Sequence, residues 1–350
     1  MTTPAQANAA SKIYYETTDP GDLVYRASVL LHFMLRGFDG KYDAKAFKNS
    51  LVSPSDLVGG GRQYEFQTEI ALANASGLDN TTVADLSDKQ MFTWGYGTMG
   101  SLISSVTMFH NEMIKNSEPS KVFDLVSKKL QNAQKSAQDT LAKALLQWAS
   151  ANDGVLTSPF MDLFYAAGTT TAYLGLQEAD VALWDANFSS AAKTMGFALM
   201  QELAREAKVD GTTMGQPNLY ITSQTLLDSY EAGFDTKQIV RDEAAMSSGW
   251  YNIVFRNAPI VADVKFDVST DGILSRFAAK TGTGYGPTSV MGLNTNYLKL
   301  KVHKDENMKA TEWMSAPNQP QNMSSSVLSS QMMLTTHRDA HIHYDAVSAA

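Results

Sequence analysis

The sequence has no cysteine. Disulfides, thiolate metal sites and a cysteine nucleophile are therefore excluded. Charge is also scarce: 18% of residues are charged against 44% hydrophobic, where an ordinary soluble chain carries about a quarter. Little charge with a normal apolar content predicts a surface partly covered by copies of the same chain. A basic excess is missing too. The formal net charge is -8, which argues against a dedicated nucleic-acid binder with its basic footprint while permitting loose contact with DNA on one local face. No apolar run reaches membrane-spanning length. Met1 to Ala10 has no basic region followed by an apolar stretch, so no secretory signal is expected and the chain reads as soluble and made in the cytosol. Catalytic patterns are missing as well. There is no serine nucleophile elbow and no His-Glu-x-x-His, and the carboxylates are too scattered to nominate an acid–base pair. Internal repeats and long heptad series are absent.

What is present is organised around Ser120 to Ser150. Val122, Val126, Leu130, Ala133, Ala137, Leu141, Ala144 and Trp148 recur at steps of four and three, the period of one helix face. Ser120 supplies a cap, and no Pro or Gly interrupts the interior. The narrow stripe with small residues along it predicts a beam lying across a sheet. Before it, Gly59-Gly60-Gly61 marks a joint. Tyr64, Phe66, Thr68, Ile70 and Leu72 then alternate with Gln63, Glu65, Gln67, Glu69 and Ala71, and Phe92, Trp94 and Tyr96 alternate again. Two antiparallel strands with a long polar tip between them are predicted. Such a ribbon is marginal alone and must lie on another surface.

Residues 1 to 28 are punctuated by Pro4, Pro20 and Gly21 and read as an extended arm, followed by a short apolar stretch from Val29 to Leu35. Beyond the long helix, Ser189 or Ser190 starts a helix reaching about Lys208. Leu219 to Ile221 is a strand, and Ser223 caps a helix from Gln224 to Ala232 closed by Gly233. This is a compact α/β unit. Tyr251 to Phe255 and Ile260 to Phe266 are strand-like, as is Leu298 to Val302. Ser275 to Thr288 and Pro317 to Ser326 read as loops, and Val327 to Val347 holds the last strands.

Few residues suggest chemistry. Gly282-Thr283-Gly284-Tyr285-Gly286 lacks the lysine ending of a phosphate loop. Gly95 to Gly100 matches a glycine fingerprint by letters, but without a surrounding βαβ unit it reads as a kinked strand with close backbone approach. In the tail, His337, Asp339, His341, His343 and Asp345 fall on one side of an extended strand. His337, His341 and His343 are the residues that could ligate a metal. No further cluster fixes a geometry, so neither a metal site nor a cofactor is assigned. The 17 methionines suit cores and interfaces that repack.

The order of these elements resembles the HK97-like major capsid protein of tailed bacteriophages. The resemblance spans nearly the whole chain. Its local carriers are Pro217-Asn218-Leu219-Tyr220-Ile221-Thr222-Ser223 before a short helix, the Tyr251 to Phe266 segment around Ala258-Pro259, and Leu293-Asn294 before the Tyr297 to His303 strand. It implies an α+β fold with an N-terminal arm at 1–56 and an extended hairpin loop at 57–98. A peripheral domain at 99–154 would carry the spine helix 120–150. An axial α/β domain would take 155–250, and return strands 251–350. It implies a structural protein, not an enzyme, that assembles into hexamers and pentamers of an icosahedral shell around phage double-stranded DNA in the virion. Implied partners are a portal, a separate scaffolding protein, a decoration protein and DNA held without sequence preference. Tyr64, Phe66, Ile70, Leu72, Phe92, Trp94 and Tyr96 are expected to form one apolar face packed on an adjacent subunit. The alternatives are an encapsulin-like compartment shell, a cytosolic enzyme with its site in the 275–290 loops, and a monomeric binding module.

Overall fold

The computed structural model describes residues 28–31, 57–60, 63–71, 90–115, 125–165, 172–178, 181, 184–207, 215–234, 251–266, 288–316 and 319–349. Most of the expected arm, the hairpin tip with Leu72, the start of the long helix, and the Gly282–Gly286 loop lie outside them. In chain order the elements are β1 (Leu57–Val58), β2 (Tyr64–Glu69), β3 (Phe92–Gly97), β4 (Gly100–Met108), α1 (His110–Lys115), α2 (Leu125–Leu145), α3 (Phe160–Tyr165), β5 (Asn187–Ser189) and β6 (Lys193–Thr194). There follow α4 (Phe197–Glu206), β7 (Leu219–Thr222), α5 (Gln224–Ala232), β8 (Asn252–Phe255), β9 (Ala258–Ala262) and β10 (Val290–Leu293). The chain closes with β11 (Leu298–His303), β12 (Lys309–Ala310), β13 (Met314–Ala316), β14 (Gln319–Thr335), β15 (Ile342–Tyr344) and β16 (Val347–Ser348).

A first sheet is built on β14. It runs β1-β11-β14-β12, and β4 and β13 also pair with β14. The β4 ladder is long, from Gly100 opposite Gln331 to Met108 opposite Met323. The helix α2 lies over β4 and β14. Its Ala133 and Ala137 are 3% and 1% exposed, so small side chains let the helix approach the sheet, as the stripe predicts. At 1.5 Å per residue α2 is about 31 Å long. It ends at Leu145 rather than Ser150. Leu146 N–H bonds back to Lys143 O at 3.1 Å, a tightened last turn. Trp148 is then extended, and the Asp162 carboxylate takes the Ala149 N–H. Tertiary capture therefore stops a helix whose periodic stripe runs on.

The second sheet has the order β5-β15-β10-β7-β9-β8. Its β7 is buried on both faces, and period two divides its residues. Leu219 and Ile221 join the core shared with α2 and the first sheet, whereas Tyr220 joins a second core under α4 and α5. Ser223 caps α5 as its sequence predicts, accepting from Leu226 N–H. The helix expected from Ser189 begins only at Phe197, because Asn187–Ser189 pairs in parallel with Ile342–Tyr344. Sheet pairing overrides local propensity there. The β8–β9 turn is Arg256-Asn257, both at positive φ, a two-residue hairpin turn. The segment after β9 stops being strand at Ala262. Asp263 then starts a 3-10 turn over Val264–Phe266. The loop expected at Pro317 to Ser326 is instead largely strand, held in β14 between β4 and β13.

Ser28 to Leu31 sits in the chain's own core, with Val29 and Leu30 fully buried. The buried Asp263 carboxylate accepts from Ser28 Oγ at 2.7 Å and from Leu30 N–H at 3.0 Å. The neighbouring Lys265 reaches Asp139 of α2 at 2.7 Å.

Candidate assembly surface

The predicted hairpin forms, β2 against β3, but its register divides the predicted face. Tyr64 lies opposite Gly97 and Phe66 opposite Gly95, whereas Glu65, Gln67 and Glu69 lie opposite Tyr96, Trp94 and Phe92. Directly opposed residues share a face. Tyr64 and Phe66 therefore point one way, and Phe92, Trp94 and Tyr96 point the other.

The first face turns inward. Phe66 is 9% exposed and belongs to the main core, and Tyr64 and Ile70 pack against it. The Phe66 ring covers Gly95 so closely that a Cβ there would lie 2.3 Å from it. It also stands 6.4 Å from the Trp184 ring. Lys301 sits 5.9 Å from the Tyr64 ring centroid. Gly97 is closed over by Met332, and Gly100 by the Val155 carbonyl. These glycines serve close backbone approach.

The second face turns outward. Phe92, Trp94 and Tyr96 are 47%, 61% and 47% exposed. Glu65, Gln67 and Glu69 beside them are exposed too. The base of this face is fixed: Tyr96 N–H donates to Leu174 O at 2.8 Å. Its ring lies on Gly175, whose φ of +76 is in the left-handed region. A cleft of about 470 Å³ opens beside it, walled by Tyr96, Trp148, Thr157, Asp162 and Tyr173 among others. Further exposed apolar side chains are Ile103 on β4, Phe109 after it, and Met314 on β13, with Phe197 and Tyr251 beside the second sheet. Sequence alternation found the aromatics, and the parity of the pairing decides which of them meet solvent.

The tail histidines do not converge. A 3-10 turn at Arg338–Ala340 breaks the expected alternation. His337 is exposed, with its ring 4.3 Å from that of Tyr297. Both His341 nitrogens are engaged, by Asn294 N–H and by Thr335 Oγ1. His343 lies between the Phe164 and Phe188 rings. Burial pulls both buried imidazoles down to about 3. Among the described residues no group of three His, Cys, Asp or Glu side chains could hold a metal. No described helix is long and apolar enough to cross a membrane. On the long helix Lys143 is paired with Asp139, and Lys129 with Glu112. That ion pair is the main cause holding the Glu112 carboxyl below its usual range.

No family model matches the chain, and no curated protein matches it in sequence. Solved structures do match in fold. One is a chain of the cyanophage A-1(L) capsid asymmetric unit, 12% identical, with a TM-score of 0.58 over 84% of this chain and 90% of that chain. Another is the capsid of a native GTA particle, 9% identical, with a TM-score of 0.57 over 99% and 100%. The SrpI encapsulin of Synechococcus elongatus is 8% identical, with a TM-score of 0.51 over 100% and 98%. At these identities the likeness is one of fold, and the chain has the α+β fold of phage capsid chains.

Proposed function

We propose that this protein is the major capsid protein of a tailed phage, a structural subunit that assembles with itself into an icosahedral shell. The observation that carries the reading is the fold likeness to capsid chains across nearly the entire length. The encapsulin has the same fold at a TM-score of 0.51, and the phage reading is preferred over a cargo compartment because phage capsids recur among the similar structures. In this reading the domain division follows the sequence boundaries, with the hairpin reaching a neighbour through Phe92, Trp94 and Tyr96. Portal, scaffolding and decoration proteins are its proposed partners in the virion, and no catalytic role is assigned.

Purified protein, alone or with a scaffold, is expected to give closed shells or hexamer and pentamer rings in electron micrographs. A monomer at every concentration and salt, with and without scaffold, would contradict the reading. Packaged DNA is proposed to be held weakly and without sequence preference, in keeping with the net charge of -8. Binding to double-stranded DNA should then fall with salt at a log–log slope of roughly -0.9 per phosphate contacted. Tight, salt-insensitive binding to one sequence would overturn that part.

A further inference from the structure

We propose that His341 is an acid-sensitive pin on the hinge formed by the two crossings between the sheets, and that a second proton on its ring loosens that hinge locally. The chain crosses between the sheets twice in this region. One crossing runs from β10 through Asn294–Tyr297 to β11, and the other from the end of β14 through residues 336–341 to β15. The two crossings lie side by side: Thr336 N–H donates to Tyr297 O at 3.1 Å, and the His337 ring packs on Tyr297. His341 fastens both. Its Nδ1 accepts from Asn294 N–H at 3.2 Å on the first crossing. Its Nε2 meets Thr335 Oγ1 at 3.0 Å on the second.

The hydrogen-bond roles are determined. A backbone N–H only donates, so Nδ1 carries no proton. The proton of the neutral ring is on Nε2 and is donated to Thr335 Oγ1, whose own hydroxyl donates to His337 O at 3.1 Å. A second proton could enter only at Nδ1. There it would set N–H against the Asn294 N–H and leave a charge in a site with no exposed surface. An unpaired buried charge is costly, so the site must open to accept it.

Among the described residues no carboxylate acts on His341 to offset that charge. His337 on the adjoining turn acts against a second positive charge. Arg338 is directed away, to Leu163 O, Trp184 O and Glu178. The Asp339 carboxyl is held above its usual range, chiefly by burial. On β15 itself His343 is kept neutral, again by burial. Neither β10 nor β14 carries a charged residue. With its pKa lowered in the closed state to about 3, His341 holds the hinge fully above the ordinary imidazole value. That hold is lost as pH falls from about 6.5 toward 3.

The hinge lies within one subunit, so full-length protein without assembled particles suffices for the test. Amide hydrogen exchange at Asn294 and Thr336 should be followed from pH 7 to pH 4 and corrected for intrinsic rates, with Val327 in the β4–β14 ladder as reference. Opening at the hinge is expected to grow by up to about tenfold per pH unit below 6.5, with Val327 lagging. In His341→Asn, whose Oδ1 can still accept from Asn294 N–H but does not titrate, this pH dependence should vanish. In Thr335→Val the hinge should open more at every pH and keep its pH dependence. A wild-type hinge whose protection is flat with pH, or loosens no faster than Val327, overturns the proposal. So does a His341→Asn variant with the wild-type slope, which would move the titration to His343. Should His341→Asn fail to fold, the wild-type and Thr335→Val series decide alone.

Discussion

Trp94→Ser is expected to abolish assembly while leaving a folded subunit with an almost unchanged melting temperature. Trp94 is 61% exposed in the single chain, between Phe92 and Tyr96 on the outward face of the hairpin. An isolated subunit therefore gains little from its indole. A contiguous aromatic face of this kind marks an interaction surface, and burying each ring against a neighbour contributes roughly 1.5–3 kcal/mol. Repeated at each contact of a closed shell, that loss is decisive. Phe66→Ser should behave in the opposite way. Phe66 is in the subunit's own core, beside Trp184 and over Gly95. Its truncation should cost about 3–5 kcal/mol of subunit stability. Sedimentation velocity and thermal unfolding of the two single variants separate these effects. If Trp94→Ser unfolds, the outward face supports its own chain. If it assembles as wild type does, the face is no interface.

The contrast between Phe66 and Trp94 marks where sequence reading ends. Alternation reports which residues of one strand share a face, and it located β2 and β3 correctly. It does not report the parity of the pairing, and a slip of one residue exchanges the faces. That parity is set across a connection of more than twenty residues and by the fit of Phe66 over Gly95. Local signals with local causes were legible: the Ser223 cap, and the buried Leu298, Leu300 and Val302 on β11. Elements made by tertiary partners were not. Gln319 to Ser326 is polar and turn-like, yet β4 and β13 hold it in β14. The pairing of β5 with β15 likewise removed two turns from a predicted helix. On the assembly surface the residue types were visible and their direction was not. In the tail the histidines were visible as a pattern, but their individual roles depend on where β10 and β14 end.

Arg338→Met is expected to be among the most destabilising single substitutions in the chain, and nothing in its sequence neighbourhood announces this. Its side chain is fully buried. Nε donates to Leu163 O at 2.7 Å, and one terminal nitrogen donates to Glu178 at 2.9 Å and to Trp184 O at 3.2 Å. The guanidinium stands 5.6 Å from the Tyr173 ring centroid. Burial lowers its pKa, and Glu178 leads the groups that push it back up. An arginine nevertheless stays charged. One cation thus ties α3, the Tyr173–Glu178 segment and Trp184 to the turn after β14. Methionine keeps much of the volume but leaves two carbonyls and the Glu178 carboxylate short of a donor. Breaking a buried pair from one side costs about 3–5 kcal/mol. Adding Glu178→Gln should recover part of that loss, because the stranded charge goes with it, while the amide keeps an acceptor for Ala186 N–H. Urea unfolding in the Trp94→Ser background gives the comparison without interference from assembly. A loss under about 1 kcal/mol for Arg338→Met would mean that the site relaxes to admit water, and that the cation is not what joins these segments.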